Sequence, residues 1–137
     1  MTKKISEQEI AALIEAAYHG YHNAYAPYSG YAVGAAVLGD DGHIYAGSNV
    51  ENAVYPLTIC AERVAITKAV SEGALHICAI AVITQNAGFP CGSCRQVIHE
   101  FGDDQVPVFV AQLDGTYETY SLGQLLPHSF SASDLIS

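Results

Sequence analysis

Cys60-Ala61-Glu62-Arg63 and Pro90-Cys91-Gly92-Ser93-Cys94-Arg95 bring three thiols and one carboxylate to two places where a helix is expected to begin. Thiolate is the metal-ligating form of cysteine, and the unpaired N–H groups and positive dipole end of a helix N-terminus favour it. Three thiolates on one Zn²⁺ leave a fourth position open to water, which marks a catalytic rather than a structural site. Glu62, two residues beyond Cys60, can face that open side without ligating. There it could act as general acid and base in a metal-assisted hydrolysis. Three thiolates also make the metal complex net-negative. Arg63 and Arg95 each directly follow a motif, and the whole chain has only five basic residues, so both read as compensating cations.

Each residue also has a plainer reading. Glu62 alone would be an ordinary first-turn surface carboxylate, favoured by the helix dipole. Either arginine alone would be a surface ion-pair partner. A structural zinc would need a fourth ligand, and neither Cys78 nor any of the six histidines has a suitable spacing. Cys78 sits in the apolar run Ile77-Cys78-Ala79-Ile80-Ala81-Val82-Ile83 and reads as a small core residue.

The elements that must position these groups can be read along the chain. Ser6-Glu7-Gln8-Glu9 is a capping box, with Ile10, Leu13, Ile14 and Ala17 on one face of a helix running to about Asn23. Tyr25-Ala26-Pro27-Tyr28-Ser29-Gly30 breaks that helix into a loop. Residues 31–39 form a Gly- and Ala-rich strand, which Asp40-Asp41-Gly42 turns into an antiparallel partner over residues 43–47. A polar loop with Asn49, Glu51, Asn52 and Tyr55 follows, and Thr58 is the expected N-cap of a helix over residues 59–72. The apolar run from Ile77 to Thr84 predicts a buried central strand. Then come a helix over 92–101, strands over 106–111 and 116–120, and a short helix capped by Ser121-Leu122-Gly123-Gln124. This order predicts an α/β fold with a five-stranded mixed sheet and helices on its faces, residues 1–137 forming a single domain.

Composition narrows the function. The formal net charge is −9, which cannot supply the basic face that a nucleic-acid binder needs. A small, neutral substrate is expected. No apolar run reaches the length of a membrane span and the N-terminus lacks an apolar signal core, so no membrane partner and a cytoplasmic location are expected. Half the residues are hydrophobic and only 14% charged, which suggests apolar surface covered by other subunits.

Tyr25-Ala26-Pro27-Tyr28-Ser29, Val33-Gly34-Ala35-Ala36, Asn49-Val50-Glu51-Asn52-Ala53 and the two cysteine motifs through Gln96 together resemble the small homotetrameric cytidine deaminases. Leu125-Leu126-Pro127 with Phe130 is similar to their C-terminal pattern. The resemblance covers nearly the whole chain. Zinc deaminases carry H-x-E…P-C-x-x-C, and Cys60 stands at the His position, as in the three-cysteine variant.

The resemblance implies a three-layer α-β-α sandwich and deamination of cytidine and 2′-deoxycytidine in pyrimidine salvage. It assigns Cys60, Cys91 and Cys94 to one zinc per chain and Glu62 to proton transfer, including protonation of the ring N3 as water adds at C4 and ammonia leaves. Asn49 and Glu51 fall where the family binds the ribose 3′-hydroxyl, and the backbone of Ala61 addresses the pyrimidine O2. Phe130 matches an aromatic that stacks on the base in a neighbouring subunit's site of the homotetramer. Tyr31 stands where relatives commonly carry Phe beside the base, and its added hydroxyl needs a partner.

Three rivals stay open. A deaminase of the antibiotic blasticidin S shares the C-A-E and P-C-G-x-C-R patterns, though Asn49 and Glu51 suit a nucleoside. A zinc-stabilised interaction module would have no need of Glu62. A polynucleotide deaminase conflicts with the charge.

Overall fold

The computed structural model describes residues 3–136. Helix α1 (Glu7–His22) opens on the expected capping box: Ser6 accepts from Glu9 N–H while the Glu9 carboxylate accepts from Ser6 N–H. Strands β1 (Gly34–Gly39) and β2 (Ile44–Ser48) form an antiparallel hairpin. A 3₁₀ turn (Tyr55–Leu57) leads to α2 (Ala61–Ser71) and then β3 (Ile77–Ile83). Helix α3 (Gly92–Phe101) crosses to β4 (Pro107–Ala111), which pairs antiparallel with β5 (Tyr117–Ser121). Short helices α4 (Leu122–Leu125) and α5 (Ala132–Ile136) close the chain.

The sheet order is β2-β1-β3-β4-β5. Only β3 and β4 pair in parallel as neighbours, joined by the crossover through α3; β2 and β3, joined through α2, point the same way with β1 between them. The sheet is therefore five-stranded and mixed, as expected. Alternate side chains on its strands feed two cores. Leu13, Ile14 and Ala17 of α1 meet Ala36, Ala81, Ile83 and Phe109 on one face. Ala61, Ala65 and Ile66 of α2 with Ile98 of α3 meet Ala35, Val37, Val82 and Val108 on the other. Burial on both faces is why β3 reads as a continuous apolar run.

Glycine sets how closely the helices approach. A Cβ on Gly34 would lie 1.9 Å from Ala17 O, and one on Gly47 would lie 2.6 Å from both Ala61 O and Ala65 N. The first turn of α2 is thus pressed onto β2, which fixes where that helix starts.

Two boundaries and one further helix differ from expectation. Strand β1 begins at Gly34 instead of Tyr31, because Asn49 replaces the ladder there: its Oδ1 accepts from Val33 N–H and its Nδ2 donates to Tyr31 O, both at 2.9 Å. Helix α2 begins at Ala61 with Cys60 as N-cap. Thr58 instead accepts from Asn52 N–H, and Ile59 bridges Val50. Helix α5 was not expected; Ser131 N–H donates to the Asp134 carboxylate across its first turn. Among the described residues no helix is long and apolar enough to cross a membrane.

Candidate active site

Cys60 and Cys91 are the N-caps of α2 and α3, and neither side chain caps its own helix. Their sulfurs point instead at each other and at Cys94, one turn into α3 and fully buried. The three Sγ atoms lie within 4.8 Å of one another, with Cys91 and Cys94 3.5 Å apart. Tetrahedral zinc with ~2.3 Å bonds to sulfur separates its sulfurs by roughly 3.8 Å, so this donor set fits one zinc. Thiolate sulfur also matches that metal's preference.

The electrostatics of the cluster are uneven. A hydrogen bond from the Cys94 thiol, assisted by Arg63 and opposed by burial, brings the Cys60 thiol down to about 5. Cys94 moves up, because it donates that bond and is buried. Arg63 Nη2 donates to Cys60 Sγ at 3.4 Å, and that contact raises the guanidinium further. Arg95 does not reach a sulfur in this way. Its Nε donates to Pro90 O and its Nη1 to Leu125 O, each at 2.7 Å, which ties the start of α3 to the end of α4.

Glu62 follows Cys60 by two residues and is only 4% exposed. Burial, with a smaller push from the Cys60 charge, raises its carboxyl to about 7. A carboxyl near neutrality can both take and give a proton at physiological pH.

Glu62, Cys60 and Cys91 face a cavity of about 280 Å³ that is also lined by Tyr31, Asn49, Glu51 and Ala61. Larger grooves, about 540 Å³ beside α1 and about 480 Å³ beside Cys78, lie away from the thiol cluster. The chemistry therefore singles out the smaller one. As the first residue of α2, Ala61 has an N–H without a partner inside the helix. Glu51 accepts from Tyr28 N–H at 2.9 Å, Ser29 N–H at 3.1 Å and the Ser29 hydroxyl. The Ser29 hydroxyl bond contributes most to holding that carboxylate below its ordinary range. The Tyr31 hydroxyl has its partner in Asn86, at 2.7 Å.

Phe130 is 56% exposed and lies outside this lining, its carbonyl held by Gln96 Nε2 at 2.7 Å. The lining also contains Ser29, Thr84, Gly88 and Phe89, which sequence reasoning did not single out. Phe89 could have been suspected from its place directly before Pro90-Cys91. Thr84 and Gly88 have no such signal.

Three thiols grouped so that they could hold one metal ion, beside a buried carboxyl on a five-stranded mixed sheet, define the class as a metal-site α/β domain. The family description "cytidine and deoxycytidylate deaminase zinc-binding region" matches residues 7–110. A cytidine deaminase of Sporosarcina psychrophila is 45% identical over 129 residues, 93% of this chain and 95% of that one. One from Mycobacterium tuberculosis is 41% identical over 114 residues, 82% of each chain. The crystal structure of cytidine deaminase from Burkholderia pseudomallei superposes with a TM-score of 0.83 at 42% identity, covering 92% of this chain and all of the other. This chain belongs to the cytidine deaminase family and is a hydrolytic deaminase.

Proposed function

We propose that this enzyme hydrolyses cytidine and 2′-deoxycytidine to the corresponding uridines with release of ammonia, in cytoplasmic pyrimidine salvage. The observation that carries this reading is a buried carboxyl, raised toward neutrality, that shares a nucleoside-sized cavity with Cys60 and Cys91 of a three-thiol cluster. Cys60, Cys91 and Cys94 would hold zinc, which when bound supplies a Lewis acid that lowers the pKa of water toward neutrality. Glu62 takes a proton from the attacking water and delivers it to the pyrimidine N3, and in the second half of the reaction it serves the departing amine. The Ala61 N–H orients the base by donating to O2.

Glu51 and Asn49 accept from the ribose hydroxyls. Hydrogen bonds keep Glu51 ionised, so it repels a phosphate placed close by and favours the nucleoside over the nucleotide. Arg63 offsets the negative charge of the thiolates through its bond to Cys60. Arg95 acts further out, through the Pro90 and Leu125 carbonyls.

The chain works as one domain and assembles as a homotetramer with shared active sites. Val54, Tyr55, Leu57 and Ile59 all expose apolar surface on the segment that leads into α2, and Phe130 is more than half exposed. An ultraviolet assay with cytidine, repeated after chelation and after zinc is restored, tests the proposal. Turnover that is lost with the metal and regained on its return is the expected result. Ammonia release from blasticidin S but not from cytidine would overturn the nucleoside assignment.

A further inference from the structure

The loop between β3 and the second cysteine motif holds a chain of hydrogen bonds with no part in the chemistry above. The Tyr31 hydroxyl donates to Asn86 Oδ1 at 2.7 Å, and the same oxygen accepts from Thr84 Oγ1 at 3.2 Å. Thr84 Oγ1 accepts in turn from Gly88 N–H at 2.6 Å. Ala87, inside this ring of bonds, has φ of 54°. That left-handed conformation is costly for a residue with a Cβ and persists where its surroundings hold it. Gly88 leaves no spare room, because a Cβ there would stand 2.5 Å from the Tyr31 hydroxyl oxygen. Tyr31, Thr84, Gly88 and Phe89 all line the cavity that holds Glu62. Tyr120 braces Phe89 from outside, with ring centroids 5.1 Å apart.

We infer that the Tyr31 hydroxyl is a positioning group: through Asn86 and Thr84 it holds the turn over residues 84–89 closed and fixes the wall against which the pyrimidine lies. A phenylalanine ring would give the same apolar contact. The hydroxyl adds the tether, a bond to the side chain of Asn86 in the turn. A fixed wall also selects by size, since an extra ring substituent meets a surface that does not give way. The inference rests on the nucleoside reading for what touches the wall. The tether itself is a property of the protein without substrate.

Tyr31→Phe tests it by removing one oxygen. In the zinc-loaded protein without substrate, amide exchange at Gly88 and Phe89 should accelerate. The KM for cytidine should rise about 3- to 10-fold, the factor one hydrogen bond contributes, while kcat stays within about twofold. The preference for cytidine over 5-methylcytidine in kcat/KM should narrow. Gly88→Ala, whose Cβ pushes the hydroxyl off Asn86, should show the same split. The double variant should be no worse than either single one, because both cut the same tether. Unchanged exchange at Gly88 with unchanged KM in Tyr31→Phe, or additive losses in the double variant, would overturn the tether. A wild-type enzyme inactive on cytidine, with faster Gly88 exchange in Tyr31→Phe, would overturn the nucleoside reading and support the tether.

Discussion

Burial holds the Glu62 carboxyl, 4% exposed beside three thiols, up at about 7, so its neutral and ionised forms lie close in free energy near neutral pH. In the proposed mechanism such a group can both hold and return a proton. Glu62→Ala should lower kcat by about 10²–10⁴-fold or more, the contribution of a general acid/base group that serves several transfers. Zinc content, measured by metal analysis, should remain at one per chain; activity within tenfold of wild type would contradict the assigned role. Arg63 makes a second prediction at this scale. Its Nη2 donates to Cys60 Sγ, so Arg63→Ala should weaken zinc retention or turnover. Adding Cys60→His removes one negative charge and should partly restore function. A double variant no better than Arg63→Ala would show that charge compensation is not what the arginine provides.

At the scale of the elements, the site depends on how tightly α2 is seated. Gly47→Ala would set a methyl 2.6 Å from the backbone of Ala61 and Ala65, neither of which can swing aside. Overpacking of this kind costs about 1–3 kcal/mol, and here it would displace the helix start that carries Cys60 and Glu62. Both a lower thermal midpoint and a lower zinc occupancy are expected. A stable variant with full zinc would mean that β2 does not position the helix.

The Tyr25–Gly30 loop depends on Glu51 in a different way. Its folded pKa lies below the ordinary 4.5, so the stability it contributes is complete above that value and is lost as pH falls through the folded pKa. On acidification the Tyr28 and Ser29 amides should exchange faster once corrected for intrinsic pH dependence. In Glu51→Gln that corrected pH dependence should disappear.

On the scale of the whole molecule, the proposed assembly sets the exposed Phe130 of one chain against the site that holds Glu62 of another. Glu62→Ala and Phe130→Ala assemblies should both be impaired, the second less, because stacking orients the base but moves no proton. If the chain assembles as proposed, co-expression should give mixed tetramers in which some sites draw Glu62 and Phe130 from different intact copies. Tagged and isolated, these should exceed the composition-weighted average of their parents. Activity that tracks the average would mean Phe130 serves its own chain.

What the sequence determined by itself was whatever neighbouring residues encode. Capping boxes at Ser6 and Ser121, the apolar run of β3 and the Asp-Asp-Gly turn are local chemistry, and each formed where it was read. The grouping of the three thiols was equally legible, because two cysteines one helical turn apart and a third two residues before a glutamate suggest a metal site, and the fold does bring those sulfurs together. Tertiary structure decided what depends on distant partners. Asn49 supplies the hydrogen bonds that take Tyr31 and Val33 out of β1, and Thr58 turns to Asn52 so that Cys60 becomes the cap. The partner of the Tyr31 hydroxyl lies fifty-five residues away at Asn86. Such pairings bring together segments far apart in the chain, and no local period or spacing records which will meet.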